Sequence, residues 1–231
     1  MPETELQAVH LARKGIYSFL GQVYLLMPGE KLYKLIDNIM PELRVVAESS
    51  DEKEMAESID EINAFLEERA DLKGEELAEF ELEALRKYTS LLCLGDSVPN
   101  VESYYVSGSK MYMQAAYDEM RELLRKYKLS ISENVNECDD HIYVELMFMA
   151  KLASLSEEAL LANNTEEHEV LLREQLDMHL NHFDRWIHLF AKRIFTDELS
   201  KGERLYNAFT KFLLGFLKED KAILQELLGL A

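Results

Sequence analysis

Apolar residues recur every three or four positions along nearly the whole chain, which is the spacing of amphipathic α-helices. The first stripe runs from about 3 to 26 and ends at Pro28-Gly29, a pair that stops helices. A second stripe starts at Leu32, and Pro41 is expected to break or kink its helix. Further helices are predicted near 51–70, 75–92, 109–127, 139–155, 166–195, 199–216 and 218–228. No segment alternates strongly enough for a strand, so the pattern predicts an all-α fold, a bundle of about nine helices.

The helical spacing fails in two segments. Residues 93–107 (CLGDSVPNVESYYVS) contain Gly95, Pro99 and Asn100 and predict a long loop, and long loops in helical domains often carry function. Residues 128–137 (KLSISENVNE) are polar and lack a helical period, as a flexible connection would. We therefore expect an N-terminal helical lobe over 1–127, a hinge or linker over 128–138 and a C-terminal helical lobe over 139–231.

The composition limits the class of protein. The 231 residues are 48% hydrophobic, with 9 Gly and 4 Pro, which suits one large or two small helical domains. A net charge of −19 argues against nucleic acid and anionic membranes as partners and favours a basic one. Cys93 and Cys138 lack metal-site spacing, the N-terminus shows no signal peptide, and no stretch of about 18 apolar residues appears. We expect a cytoplasmic protein without stable membrane insertion.

The densest polar run is ECDDHIYVE at 137–145, and three interpretations of it remain open. In the structural one, Asp139 and Asp140 cap a helix while His141 pairs with Glu145 one turn later. In the metal-binding one, His141 and Glu145 form an HxxxE pair of the kind found in helical di-iron bundles. In the ligand-binding one, the acids and the imidazole receive a cationic ligand.

The rest of the chain weakens the metal-binding interpretation and offers no catalytic site. His179, His182 and His188 share one predicted helix, but no second histidine–glutamate pair of the required kind accompanies them. The chain has no glycine-rich phosphate loop and no Gly-x-Ser-x-Gly, and Cys93 lacks a histidine setting for a nucleophile. We expect neither a bound metal nor a catalytic role.

Three blocks of sequence resemble the TorD/DmsD/NarJ family, the cytoplasmic chaperones that mature molybdoenzymes of the dimethyl sulfoxide reductase type. The blocks are Tyr88-x-x-Leu91-Leu92-x-x-Gly95 with Pro99 and Glu102-Ser103-Tyr104-Tyr105, then Glu137-x-x-Asp140-His141-x-x-x-Glu145-x-x-Phe148-Met149, then His182-Phe183-x-x-Trp186-x-x-x-Phe190. The chain departs from the pattern at Asp139, where the family often has Pro, at Leu92, where an aromatic is usual, and at Tyr104, where Val is usual. These departures bear on the subfamily and leave the client enzyme open.

The resemblance implies a chaperone that binds the twin-arginine signal peptide and apo form of a molybdoenzyme until its cofactor is loaded. The chaperone itself would need no cofactor. Carboxylates of Asp139, Asp140 and Glu145 would bind arginines, and His141 would orient a carboxylate or report pH near neutrality. Tyr104, Tyr105 and Trp186 would supply aromatic walls, although Trp186 equally suits a core position. The implied signal-peptide site comprises Glu102, Tyr104, Tyr105, Glu137, Asp139, Asp140, His141, Glu145, His182 and Trp186.

Two alternatives and one question of assembly stay open at this point. The chain would otherwise be a helical metal-binding protein of the di-iron type, or a helical adaptor without signal-peptide specificity. A ten-residue linker at 128–137 can extend to about 33 Å. It would thus allow a monomer or a domain-swapped homodimer.

Overall fold

The computed structural model describes residues 3–95, 97–195 and 201–230. Its helices are α1 (Glu3–Leu25), α2 (Glu30–Ser49), α3 (Lys53–Asp71), α4 (Gly74–Tyr88), α5 (Glu102–Val106), α6 (Ala115–Lys126), α7 (Ile142–Leu161), α8 (Thr165–Met178), α9 (Asp184–Ile194) and α10 (Lys201–Leu227). Two π-helical turns continue them: Thr89–Cys93 extends α4, and His179–Phe183 joins α8 to α9. Counted as unbroken runs, the described residues form nine helices and no strand, which confirms the all-α prediction. None of these helices has the length and apolar character needed to cross a bilayer.

Contacts divide the chain into two compact units. The first comprises Met1–Gly21, Asn100–Ile187 and Lys218–Ala231, and the second comprises Gln22–Pro99 and His188–Leu217. Every residue of the implied signal-peptide site falls in the first unit. Both ends of segment 128–137 also fall there, and the expected lobes and hinge stay predictions.

In the second unit, the expected break or kink of α2 at Pro41 does not end the helix. The helix runs unbroken through this proline, which sits in its interior. A proline inside a helix costs about 3 kcal/mol. Each fully buried apolar side chain contributes roughly 1.5–3 kcal/mol, so the apolar face of α2 offsets that cost. The buried residues of α2 are Leu32, Tyr33, Ile36, Met40, Leu43 and Ala47.

The core of the first unit is built on α7. This helix is buried on most of its faces, as expected for a central helix. It packs against α8, and in this interface Ser156 of α7 accepts a hydrogen bond from Gln175 of α8 at 2.9 Å. It also runs six residues beyond the predicted end at 155. Its buried residues are Ile142, Val144, Glu145, Leu146, Phe148, Met149, Ala150, Leu152, Ala153, Ser156 and Ala159.

Three other boundaries correct the sequence-based expectation. The predicted loop at 93–107 contains α5, and α6 begins at Ala115 instead of near 109. The helix cannot start earlier because Lys110 and Met113 have φ values of 53° and 55°, in the left-handed region. The final two predicted helices are one helix, α10, across its described residues. Its expected start near Leu199 lies outside the described residues.

Candidate functional site

The starts of α5 and α7 are joined through their backbones. The Glu102 amide donates to the carbonyl of Asp140 at 3.0 Å, and the Ile142 amide donates to the carbonyl of Asn100 at 2.9 Å. Val101 and His141 form an isolated antiparallel bridge between them. Asp140 Oδ2 also accepts from the Ser103 amide at 2.8 Å, so this buried carboxyl satisfies the first turn of α5.

His141, not Asp139 or Asp140, is the N-cap of α7. Its Nδ1 accepts from the Tyr143 amide at 3.0 Å, and its Nε2 lies 3.5 Å from Glu137 Oε2. Burial lowers the pKa of His141 from 6.5 to about 3. The ring therefore stays neutral near pH 7, and the expectation that it reports pH near neutrality is wrong.

Four other predicted residues form a buried polar cluster. Glu102 Oε2 lies 2.6 Å from Nδ1 of His182, and Glu145 Oε2 accepts from the indole N–H of Trp186 at 3.1 Å. Burial first, and then the negative charge of Glu102, raise the pKa of Glu145 well above its usual value. Glu145 therefore keeps its proton to a higher pH than a glutamate in water does. We call Glu102, Glu145, His182 and Trp186 the carboxyl cluster.

This arrangement corrects both earlier interpretations that paired His141 with Glu145. His141 lies beside Glu137 and accepts from the Tyr143 amide, whereas Glu145 contacts Trp186 in the carboxyl cluster. Single ligand-type atoms of Glu102, Glu145 and His182 do lie within 4.8 Å of one another. Their hydrogen bonds and the raised pKa of Glu145 account for this approach without an ion.

Arg185 is a member of the site that the sequence did not reveal. Its Nη1 lies 3.4 Å from Glu102 Oε1 and 3.0 Å from Glu119 Oε2, and it donates to the carbonyl of Asn181 at 2.8 Å. The guanidinium thus balances the buried Glu102 carboxylate from the surface side. The two acids come from α5 and α6, far from Arg185 in the sequence, so their spacing carries no signal.

An aromatic surface covers one side of the carboxyl cluster. Tyr105 stacks on the buried Trp186 with ring centroids 5.5 Å apart and an interplanar angle of 29°. Tyr104 lies 5.2 Å from Tyr105 and 6.2 Å from Tyr112. Of the predicted aromatic walls, Trp186 is therefore a core residue, and the two tyrosines are half-buried above it.

The aromatic surface continues into an exposed loop between α5 and α6. Met111, Tyr112 and Met113 are 58%, 48% and 59% exposed. Met113 falls within the helix predicted near 109–127, but its left-handed backbone places it in this loop. We call Tyr104, Tyr105, Met111, Tyr112 and Met113 the aromatic–methionine surface.

An acidic cavity of about 510 Å³ lies beside α6, on the face towards α8 and α9. Two ion pairs flank it, between Arg185 and Glu119 and between Lys126 and Glu174. Four acids and two bases line it, so its formal charge is negative. The lining residues are Glu119, Glu122, Leu123, Lys126, Glu174, Asp177, Met178, Asn181, His182 and Arg185.

The remaining predicted acids lie at the edge of the site. Asp139 Oδ2 accepts from Nε of Arg121 at 3.1 Å and is mostly covered, whereas Glu137 is exposed beside His141. The structure thus brings six of the ten predicted residues into the interior and leaves four at or near the surface. The interior six are Glu102, Asp140, His141, Glu145, His182 and Trp186.

A second buried polar network in the first unit was missed entirely. Asp220 of α10 accepts from Arg13 Nε at 2.5 Å and from the Tyr17 hydroxyl at 2.7 Å, and it lies 2.8 Å from His179 Nε2. Burial alone would raise the pKa of Asp220, but Arg13 and His179 hold it well below its usual value. Arg13 and Asp220 are 207 positions apart, so no local pattern joins them.

Comparisons with known proteins agree with the three sequence blocks. The family model described as nitrate reductase delta subunit matches residues 48–192. Chaperone protein TorD of Vibrio cholerae serotype O1 is 33% identical over 114 residues, 48% of this chain and 47% of the relative. TorD of a Psychrobacter species is 27% identical over 149 residues, covering 64% and 63%. TorD of Aliivibrio fischeri is 29% identical over 167 residues, covering 72% and 75%.

The extent of these matches differs between the comparisons. The chain spans about half the length of the Vibrio cholerae relatives it matches. No solved structure matches it significantly. The family model, however, covers well over half of the chain and all three blocks. The chain therefore belongs to the nitrate reductase delta subunit family, the TorD/DmsD/NarJ family whose sequence blocks it carries.

Proposed function

We propose that this protein is a dedicated maturation chaperone in the cytoplasm and not an enzyme. It binds the twin-arginine signal peptide and the apo form of a molybdoenzyme of the dimethyl sulfoxide reductase type. Binding assists cofactor insertion and prevents premature export. Membership of the family and the relatives named chaperone protein TorD support this role.

The observation that carries the proposal is the aromatic–methionine surface. A twin-arginine leader has an apolar stretch after its arginines, and an apolar stretch needs an apolar receptor surface. Methionine side chains adapt their shape to different apolar partners, whereas stacked aromatic rings provide fixed contact area. Met111, Tyr112 and Met113 are neighbours and about half exposed or more, which suits the binding of an apolar stretch of peptide.

The predicted site residues divide between contact and support. Tyr104, Tyr105, Glu137 and Asp139 are near enough to the surface to meet a peptide. The buried carboxyl cluster fixes Trp186, and Asp140 fixes the start of α5. In this proposal the buried residues hold the two tyrosines in position, and the surface residues contact the leader.

Peptide titration tests the function directly. Trp186 is the only tryptophan of the chain and stacks under Tyr105, so its fluorescence reports on this surface. We expect saturable binding of a twin-arginine leader peptide, with binding of the Lys-Lys variant weaker by about tenfold because lysine cannot bind carboxylates in a bidentate manner. A scrambled peptide of the same composition is the control. Equal affinity for the leader and the scrambled peptide would contradict the proposal.

A further inference from the structure

We propose that the acidic cavity beside α6 is the receptor for a single cationic side chain, an arginine of the leader. This inference rests on the proposed function and adds a defined subsite to it. The aromatic–methionine surface explains binding of an apolar stretch but offers no acid for a guanidinium. The cavity supplies that missing chemistry in the same unit.

His182 connects the cavity to the carboxyl cluster. It is only 5% exposed, yet it lines the cavity while its Nδ1 is engaged with Glu102 at 2.6 Å. The His182–Glu102 pair therefore lies at the wall of the cavity, and the acids that line the cavity favour a positively charged ligand over a phosphate or a carboxylate.

The charges around the cavity agree with a cationic ligand. Arg185 is held by Glu102 and Glu119, and Lys126 is held by Glu174. Asp177 is exposed at the cavity and forms no ion pair within the part of the chain that the structure describes. A carboxylate without a cation at an acidic cavity is complementary to the fork of an arginine.

The apolar lining suits the stem of the same side chain. Met178 is 1% exposed and forms part of the wall, together with the half-buried Leu123. Arginine carries three methylene groups that bury readily against such surfaces while the charged head stays near acids. At about 510 Å³, the cavity holds one such side chain with part of its backbone.

A double-mutant cycle tests this subsite with the whole chain. One partner is the wild type or Asp177→Asn, and the other is the leader peptide with arginine or with citrulline, its uncharged isostere, at either position of the pair. We expect Asp177→Asn and one of the two citrulline peptides each to weaken binding by about tenfold. The two changes together should weaken it little further, because they remove the same contact. Glu166→Gln, an exposed acid on α8 outside the cavity, is the matched control for charge and should bind like the wild type.

A second measurement follows His182 itself. The ring nitrogen signals of His182 in magnetic resonance spectra should move on binding of the arginine leader and stay in place with the citrulline peptide that binds weakly. Leader binding that neither Asp177→Asn nor citrulline affects would overturn the subsite and leave the proposed function standing. A wild-type protein that binds no leader would overturn both.

Discussion

At the scale of single residues, Glu145 shows how far the interior changes ordinary chemistry. An isolated glutamate on a helix is ionised at neutral pH. This one is fully buried next to the Glu102 carboxyl, and its pKa lies well above the usual value. The folded protein therefore holds a proton that the unfolded chain releases.

Glu145→Gln isolates this effect, because an amide has the shape of a carboxylic acid but does not titrate. Near pH 4.5 we expect the free energy of unfolding to change by no more than about 1 kcal/mol. Above the unfolded pKa of 4.5, the wild type should lose stability as pH rises, since only the folded state keeps the proton. The variant lacks this slope, so its advantage should grow with pH in urea unfolding between about pH 5 and pH 8. Parallel pH profiles of the two proteins would show that Glu145 is ionised in the folded state.

Glu102→Gln is the informative counterpart to that variant. The side chain of Glu102 contacts both His182 and Arg185, one through each oxygen. Glutamine keeps an oxygen beside His182 but removes the charge that faces Arg185, which retains only Glu119, so we expect a cost of roughly 1–3 kcal/mol in urea unfolding. The two glutamates of one cluster should thus respond very differently to the same substitution.

At the scale of elements, α5 is a five-residue helix that its own hydrogen bonds cannot stabilise. Its first turn depends on the Asp140 carboxyl and on backbone bonds to the segment before α7. Tyr104 and Tyr105 are carried on this short helix. Their position therefore depends on Asp140, whose carboxyl binds the backbone of this helix.

Asp140→Ala should consequently weaken leader binding by about tenfold and destabilise the fold by roughly 1–3 kcal/mol. Asp140→Asn should restore most of the binding, because an amide oxygen still accepts from the Ser103 amide. Peptide titration followed by Trp186 fluorescence, at a temperature where all three proteins are folded, measures the difference. If the asparagine variant bound the leader as poorly as the alanine variant, leader binding would depend on the charge of Asp140. Its hydrogen bond to the Ser103 amide would then not explain the loss of binding.

The sequence predicted most elements because helical spacing is a local signal. It did not predict α5, because Glu102–Val106 forms a helix only through contacts with residues near 140. It assigned the cap of α7 to an aspartate by general preference, although Asp140 is occupied by Ser103 and His141 takes the position. The π-helical turn His179–Phe183 is equally invisible in the spacing. It lies where both His179 and His182 are buried against partners from other segments.

At the scale of the whole molecule, the charge of −19 creates a long-range field that a basic leader would experience before contact. Such fields accelerate association and change dissociation much less. Screening shortens their range to about 10 Å at 0.1 M salt.

We therefore expect the association rate of the leader to fall severalfold from low to physiological salt while the dissociation rate stays nearly constant. Stopped-flow fluorescence of Trp186 gives both rates. The citrulline peptides, with less positive charge, should show a shallower salt dependence. An association rate that is flat across this range would mean that the acidity has no part in recognition.

Segment 128–137 carries a separate prediction about assembly. Shortening it by four residues should favour a domain-swapped dimer if it acts as a hinge, because one chain could no longer close on itself. Size-exclusion chromatography with light scattering distinguishes the two states. Substitution of four of its residues by glycine and serine, with the length kept, is the control. A shortened variant that remains a folded monomer would rule out the hinge.

The buried pair of Arg13 and Asp220 limits how early the protein can fold during its synthesis on the ribosome. Its two residues are 207 positions apart, and synthesis proceeds at about 5–20 residues per second, so the aspartate is made roughly 10–40 s after the arginine. Throughout that interval the arginine side chain lacks the carboxylate that balances its charge in the interior. The first unit can therefore reach its native state only after α10 has been translated. During its own synthesis, a protein proposed to protect an unfinished enzyme is itself an unfinished chain with an exposed apolar interior.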